Sequence, residues 1–149
     1  AEKYNMPVIY STHPRSAKYI EKRNFLFHPL VQQLKPFGFH DYNKLQQNAF
    51  CVVSDSGTLP EESSFFHSFP AVCIRTSTER PEAMDKGNFV LAGITCDEVL
   101  QSVDLAVEMQ NAGDVGLDVP NYTDDVSNKV VKLIQSYTTV VNKMVWRKG

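Results

Sequence analysis

The segment with the clearest chemical potential lies where an apolar β-branched run meets small polar residues. Residues 51–54 (Cys-Val-Val-Ser) pass directly into Asp55-Ser56-Gly57. A strand that runs into a helix in this way leaves the first helical amides able to hold an anion such as phosphate. Ser56 offers a hydroxyl and an N–H, and Gly57 allows close backbone approach or a positive φ. A tight turn without a ligand is the alternative. A nucleophilic serine is excluded because the pattern lacks Gly-x-Ser-x-Gly.

Two carboxylates, Glu61 and Glu62, fall in the first turn of the helix predicted to follow. Negative charge there offsets the positive end of the helix macrodipole. Glu61 completes a Thr-x-x-Glu capping box with Thr58, which gives it a structural role. The cap does not need Glu62. Its carboxylate can therefore face the carboxyl edge of the sheet and accept hydrogen bonds from a ribose diol.

The loop of residues 75–82 follows another predicted strand and holds Arg75 and Arg80 beside hydroxyls and Glu79. Guanidinium groups bind oxyanions in a fork geometry, so the two arginines could anchor a diphosphate or position a carboxylate. A surface loop with an Arg–Glu pair is the alternative. Both interpretations stay open on composition alone.

Two further loops add candidates. His13 and Arg15 follow the first predicted strand, where they offer an imidazole and a guanidinium, although a lone histidine is more often structural. Phe39 and Tyr42 belong to an aromatic segment that could flank a nucleotide base or pack in a core. His28 and His67 are assigned no role.

Short apolar strands alternating with amphipathic helices must position these residues. Strands are predicted over 7–12, 30–36, 50–54, 71–74 and 89–91. Helices are predicted over 16–23, 41–48 with Asp41 as N-cap, 58–68, 81–86 before Gly87, from the Thr95–Glu98 capping box onward, and 126–146, after a connection over 111–124. This order predicts an α/β fold with a parallel sheet covered by helices on both faces. Ligands of such sheets bind beyond the carboxyl ends of the strands.

Composition narrows the class of protein. The length of 149 residues suits one domain, and the net charge of −2 gives no nucleic-acid footprint. No apolar run reaches the ~18 residues of a membrane span, and no signal peptide is visible. Three cysteines without metal spacing predict buried free thiols in a reducing cytoplasm. We therefore expect a cytoplasmic protein without membrane, nucleic-acid, metal or cofactor partners. The first residue, Ala1, suggests a piece of a longer protein.

Taken in order, these motifs resemble the C-terminal half of the non-hydrolysing UDP-N-acetylglucosamine 2-epimerases. The matching elements are His13-x-Arg15, Pro36 with its aromatic run to Tyr42, Asp55-Ser56-Gly57-x-x-x-Glu61-Glu62 and residues 78–82 (Thr-Glu-Arg-Pro-Glu). Order and spacing agree over most of residues 7–95. The last two motifs together are highly specific, whereas either alone is moderately so.

The resemblance implies a Rossmann-like domain, the second of a GT-B-type two-domain enzyme that binds UDP in its cleft. Residues 1–149 would form that C-terminal UDP-binding domain, with a long C-terminal helix. Ser56, Gly57 and Thr58 would then bind the diphosphate, Glu62 the ribose, and Phe39 and Tyr42 the uracil. His13 and Arg80 would act near the phosphates and the reacting sugar as catalytic residues, with Arg15, Arg75 and Glu79 also on the substrate.

The implied reaction is a C2 epimerisation, in which a carboxylate removes the C2 proton and UDP leaves C1. UDP returns to the glycal after reprotonation on the other face. The acid/base carboxylates would belong to the first domain, so this chain alone would be inactive. The implied partners are a UDP-N-acetylhexosamine substrate and a second subunit in a homodimer. A GT-B glycosyltransferase and a non-catalytic nucleotide-binding module are the alternatives.

Two departures from the family pattern matter. Thr58 stands where members commonly have a second glycine, and His13-Pro14-Arg15-Ser16-Ala17 replaces a His-Arg-Arg-Glu-Asn stretch. The segment of residues 48–58 and the ending, with Ser136-Tyr137-Thr138 and Val145-Trp146, are similar to the sub-branch that makes UDP-N-acetyl-L-fucosamine for capsule or O-antigen.

Overall fold

A computed structural model of the chain describes residues 1–119 and 125–148. The strands are β1 (Val8–Ser11), β2 (Val31–Leu34), β3 (Val52–Ser54), β4 (Ala71–Cys73) and β5 (Val90–Leu91). The helices are α1 (Pro14–Lys22), α2 (Phe39–Gln47), α3 (Leu59–Phe66), α4 (Pro81–Asp85), α5 (Cys96–Asn111) and α6 (Val126–Met144). The chain divides into two compact units, unit 1 (Ala1–Asn48) and unit 2 (Ala49–Gly149).

Unit 1 is built on two parallel strands. β1 pairs with β2 in a register that runs from Val8 opposite Val31 to Ser11 opposite Leu34. Because the strands are parallel, the loops that lead into α1 and α2 leave the same edge of this pair. α1 begins at Pro14, whose missing N–H costs little in a first turn.

The start of α2 differs from the sequence prediction. Asp41 is the predicted N-cap, but the observed N-cap is Gly38, three residues earlier, and the helix begins at Phe39. Asp41 instead lies in the first turn, where its charge still favours the positive end of the helix. An extended glycine can fill the N-cap position because Gly, too, is favoured there.

Unit 2 contains a parallel three-stranded sheet in the order β3-β4-β5. The register pairs Val52 with Ala71 and Val72 with Val90. Leu59 at the start of α3 and Val72 in the central strand are fully buried. The buried core cluster consists of Leu59, Phe69, Ala71, Cys73, Ala83, Phe89 and Val119. The predicted α/β class with parallel strands is therefore confirmed.

α5 shows the local chemistry that its sequence predicts. The Thr95 hydroxyl accepts a hydrogen bond from the Glu98 N–H, and the Glu98 carboxylate accepts one from the Thr95 N–H, which completes the capping box. The Thr95 hydroxyl also donates to Glu98 Oε2 at 2.7 Å, and this bond, followed by the one from the Thr95 N–H, lowers the pKa of Glu98. Val103 and Ala106 lie buried on the predicted apolar face of the helix.

α6 is the longest described helix, and its apolar stripe is exposed. It ends at Met144, two residues short of the prediction. The exposed stripe includes Val130, Leu133, Ile134, Tyr137 and Val141. In the part of the chain that the structure describes, no helix is both long and apolar enough to cross a membrane. The connection predicted over residues 111–124 lies partly outside the described residues.

The cysteines are all free thiols, but they are not all buried. Cys73 is buried and Cys51 half-buried, whereas Cys96, the first residue of α5, is exposed, so the prediction of a buried thiol is wrong there. Burial raises the pKa of Cys51 to about 12, which keeps that thiol protonated. Residues 1–119 and 125–148 contain no group of three His, Cys, Asp or Glu side chains placed to hold a metal ion.

Candidate functional site

The carboxyl edge of the unit 2 sheet gathers three polar loops. Parallel pairing places the loops after β3, β4 and β5 on the same edge, as expected for ligand-binding α/β sheets. Backbone hydrogen bonds continue the ladder into these loops. The Ile74 N–H donates to the Ser54 carbonyl at 2.9 Å, and the Gly93 N–H donates to the Arg75 carbonyl at 3.1 Å. The start of each loop is thereby held in register with its neighbour.

The turn between β3 and α3 contains a directed chain of hydroxyl hydrogen bonds. Thr58 Oγ1 donates to Glu62 Oε1 at 2.9 Å and lies 2.9 Å from Ser56 Oγ. A hydroxyl has one proton, so Ser56 must be the donor to Thr58. The Ser56 N–H, expected to face an anion, instead donates to Ser54 Oγ at 3.0 Å. The polar groups of the turn are therefore hydrogen-bonded to one another in this structure.

The capping box predicted for Thr58 and Glu61 does not form. Thr58 is the N-cap by position, but its hydroxyl makes no hydrogen bond to a helix N–H. The Thr58 hydroxyl donates to Glu62, while Glu61 accepts from Arg80 Nε. The Thr58 hydroxyl therefore makes a charge-assisted hydrogen bond in place of a weaker neutral capping bond, and the Glu61 carboxylate pairs with a guanidinium in place of a backbone N–H.

Gly57 brings this turn close to the loop after β4 without needing a special conformation. Its φ is not positive, unlike those of Gly87 and Gly93. A Cβ atom added at Gly57 would lie 3.9 Å from Glu79 Oε2, an ordinary contact distance. The two loops are therefore neighbours at the edge.

The loop of residues 75–80 holds its two arginines in different ways. Arg75 Nη1 donates to Glu79 Oε2 at 2.9 Å, and this partner raises the pKa of Arg75. Both members are exposed or half-buried, which is the Arg–Glu surface pair that the alternative interpretation described. Arg80 pairs instead with Glu61 on α3, and its backbone N–H donates to Thr78 Oγ1 at 3.0 Å.

Glu61 is the residue that sequence reasoning assigned to the wrong partner. The Asp55–Glu62 motif and the motif of residues 78–82 contain one indication of the Glu61–Arg80 pair. Residues 61 and 80 both lie just beyond neighbouring parallel strands, and they carry opposite charges. Nothing in the local spacing selects an arginine 19 residues away over the adjacent cap.

Unit 1 gathers the other predicted site residues at its own edge. His13 is the N-cap of α1, with its Nδ1 accepting from the Arg15 N–H at 3.2 Å, which is the structural role held open for it. Arg15 is exposed. Phe39 opens α2 and is 78% exposed, and Tyr42 is half-buried one turn further along. The exposed Phe39 ring makes an edge-on contact with His40 rather than packing in the core.

His67, to which no role is assigned from the sequence, connects the end of α3 to the segment that follows α5. Its Nδ1 lies 3.0 Å from the Val115 carbonyl and its Nε2 lies 2.9 Å from Asp118 Oδ1. A carbonyl and an ionised carboxylate only accept, so both hydrogen bonds form together when the imidazole carries a proton on each nitrogen. The hydrogen bond to Val115 raises the pKa of His67 the most, burial lowers it by less, and the hydrogen bond and negative charge of Asp118 raise it further.

An α/β domain with parallel strands and Ser, Gly and Arg loops at their carboxyl edge has the general form of a nucleotide-binding protein. A model of the family described as UDP-N-acetylglucosamine 2-epimerase matches residues 1–135. The chain belongs to this UDP-N-acetylglucosamine 2-epimerase family.

Individual relatives agree with this assignment. The chain is 31% identical over 108 residues to a UDP-N-acetylglucosamine 2-epimerase of Methanococcus maripaludis, a match over 70% of this chain and 29% of the relative. The Rickettsia bellii UDP-N-acetylglucosamine 2-epimerase structure matches with 39% identity and a TM-score of 0.71, over 99% of this chain and 41% of that one. The Methanocaldococcus jannaschii enzyme in complex with UDP-GlcNAc and UDP has the same fold, with a TM-score of 0.74 at 24% identity. The chain thus spans well under half the length of these relatives.

Proposed function

We propose that this chain is the C-terminal, UDP-binding domain of a UDP-N-acetylhexosamine 2-epimerase. The observation that carries the proposal is the family match over residues 1–135, with 39% identity to one solved epimerase over nearly the whole chain. The polar carboxyl edge of unit 2 supports it, because phosphate sites of α/β proteins occupy such edges.

Each edge residue has a proposed role in holding the nucleotide. Ser56, Gly57 and Thr58 meet the diphosphate, while Glu62 accepts from the ribose hydroxyls. The Ser56 hydroxyl must then leave Thr58 to donate to a phosphate oxygen. Arg75 and Glu79 complete this edge, and Arg80 faces the phosphates and the reacting sugar.

The residues on the unit 1 edge complete the proposed assignments. Phe39 and Tyr42 contact the uracil, for which the exposed Phe39 ring is well suited. Arg15 lies against the substrate, and His13 acts near the reacting groups. In the reaction itself, a carboxylate removes the C2 proton and the electron pair expels UDP from C1 to form a glycal. Reprotonation of C2 from the other face and return of UDP complete the epimerisation.

We assign the C2 acid and base to the part of the enzyme outside this chain, so the chain alone is expected to bind UDP without turning over a UDP sugar. The full enzyme is proposed to be a homodimer that acts in capsule or O-antigen sugar-nucleotide synthesis. Residues 48–58 favour the UDP-N-acetyl-L-fucosamine sub-branch as its substrate class.

Calorimetric titration of UDP onto the chain tests the binding role. Replacing Glu62 by Ala is expected to weaken UDP binding by about 1–3 kcal/mol, because the ribose hydroxyls lose their acceptor. Glu82→Ala is the matched control, since Glu82 is also a first-turn carboxylate, on α4. Equal, weak heats for the parent and both variants would instead favour a module that does not bind nucleotide specifically.

Turnover assays separate the epimerase from a GT-B glycosyltransferase. The full-length enzyme, incubated with a UDP-N-acetylhexosamine in D2O, is expected to incorporate deuterium at C2. Sugar transfer to an acceptor without deuterium uptake would favour the glycosyltransferase. Detectable epimerisation by the purified 149-residue chain would contradict the assignment of the acid and base to another part of the enzyme.

A further inference from the structure

The Glu61 side chain connects α3 to the loop that precedes α4. Its Oε1 accepts a hydrogen bond from Arg80 Nε in a charge-assisted pair. Its other oxygen, Oε2, is buried and accepts no hydrogen bond from any described residue. Arg80 is therefore the group that accounts for the position of this carboxylate.

The contacts of Arg80 fix the plane of its guanidinium. Arginine has five N–H donors in one rigid plane, so holding Nε and one Nη sets the direction of the remaining donors. Glu61 holds Nε, and the Glu79 carbonyl accepts from Nη1 at 3.2 Å. The Glu61 side chain is 23% exposed and that of Arg80 is 39% exposed. The carboxylate thus lies deeper, and the guanidinium reaches the surface.

This guanidinium belongs to the loop that adjoins the Ser56-Gly57 turn. Glu79, whose carbonyl holds Arg80, has a carboxylate oxygen 3.9 Å from where a Cβ of Gly57 would lie. A phosphate bound at that turn would be next to the Arg80 loop.

We propose that Glu61 is a positioning residue that orients Arg80 toward the terminal phosphate of a bound nucleoside diphosphate. The inference rests on the proposed function, in which the edge binds UDP. The inference is testable because the two possible effects of the Glu61 carboxylate on phosphate binding have opposite signs. A carboxylate that is only a nearby negative charge repels phosphate, so its removal would strengthen binding. A carboxylate that positions the guanidinium favours binding, so its removal weakens it.

Calorimetry with UDP and UMP measures which effect dominates. Glu61→Ala is expected to weaken UDP binding about tenfold, the usual scale for loss of a hydrogen bond to a charged group. UMP, which lacks the terminal phosphate, is expected to bind with unchanged affinity. Glu61→Gln is expected to restore most of the UDP affinity, because its amide oxygen can still accept from Arg80 Nε.

The same measurements in an Arg80→Ala background show whether Glu61 acts through Arg80. There, Glu61→Ala is expected to have no further effect on UDP affinity, since coupled residues are non-additive in a double-mutant cycle. An equal loss in both backgrounds, an equal loss for UDP and UMP, or tighter UDP binding by either Glu61 variant overturns the inference. If circular dichroism shows that Glu61→Ala is unfolded, Glu61→Gln decides by the sign of its effect.

Failure of the proposed function gives a different result. If the parent chain does not bind UDP, or if Glu62→Ala binds it as well as the parent, the nucleotide site itself is wrong and the inference falls with it. If the parent binds UDP and Glu62→Ala weakens it while Glu61→Ala does not, only the role of Glu61 is wrong.

Discussion

Thr58 and Thr95 occupy the same position relative to their helices and use their hydroxyls differently. Thr95 accepts from the Glu98 N–H and so satisfies a helix amide that lacks an intrahelical partner. Thr58 makes no such bond, and its hydroxyl donates to the exposed end of Glu62. The same residue type at the same position therefore stabilises one helix start and organises side chains at the other.

This difference predicts that replacing Thr95 or Thr58 by alanine changes the free energy of unfolding by unequal amounts. Thr95→Ala is expected to lower the free energy of unfolding by about 1 kcal/mol, the usual cost of losing an N-cap. Thr58→Ala is expected to lower it by about 0.5 kcal/mol or less, as for most exposed positions. Urea unfolding followed by circular dichroism measures both. Equal losses would mean that Thr58 also caps its helix.

At the scale of elements, His67 links α3 to the segment after α5. The residue is in the left-handed region with φ of 46°, which directs its ring toward partners 48 and 51 residues further along the chain. Val119, in the segment that His67 holds, is part of the buried core. The protonated imidazole therefore helps to hold a piece of the core in place.

The raised pKa of His67 gives this link a defined pH dependence. Its contribution to stability is complete below the unfolded value of about 6.5 and is lost as the pH rises through the folded pKa. The parent is therefore expected to lose more unfolding free energy between about pH 6 and pH 9 than His67→Asn, which tolerates the same φ. His28→Asn is the control, because His28 Nδ1 accepts only a local hydrogen bond, from the Leu30 N–H. Identical pH profiles for the parent and His67→Asn would rule the link out.

Helices and strands were predictable from the sequence where neighbouring residues determine them. Contacts between residues far apart in the sequence were not predictable. The alternation of apolar strands and amphipathic helices fixed the α/β class, and Thr95-x-x-Glu98 fixed the start of α5, because both depend on neighbours in sequence. The partners of Glu61 and His67 come from other elements, so no local pattern identifies them. The start of α2 was misplaced because a glycine N-cap leaves a weaker sequence signal than aspartate.

At the scale of the whole molecule, the buried core cluster and the exposed apolar stripe of α6 belong to different parts of unit 2. The core cluster lies within residues 59–119, whereas the apolar stripe of α6 is open to solvent. An exposed apolar stripe of this kind contributes little to the stability of the chain that carries it.

Alanine substitutions in the core cluster and in α6 test how much each region contributes to the free energy of unfolding. Leu59→Ala removes a fully buried side chain and is expected to cost about 2–5 kcal/mol of unfolding free energy, because it leaves a cavity. Ile134→Ala, at a position 58% exposed, is expected to change that free energy by less than about 0.5 kcal/mol, since it removes few packing contacts. Denaturant unfolding of the isolated chain at low concentration measures both. A loss at Ile134 comparable to that at Leu59 would mean that α6 packs its apolar stripe against the chain in solution.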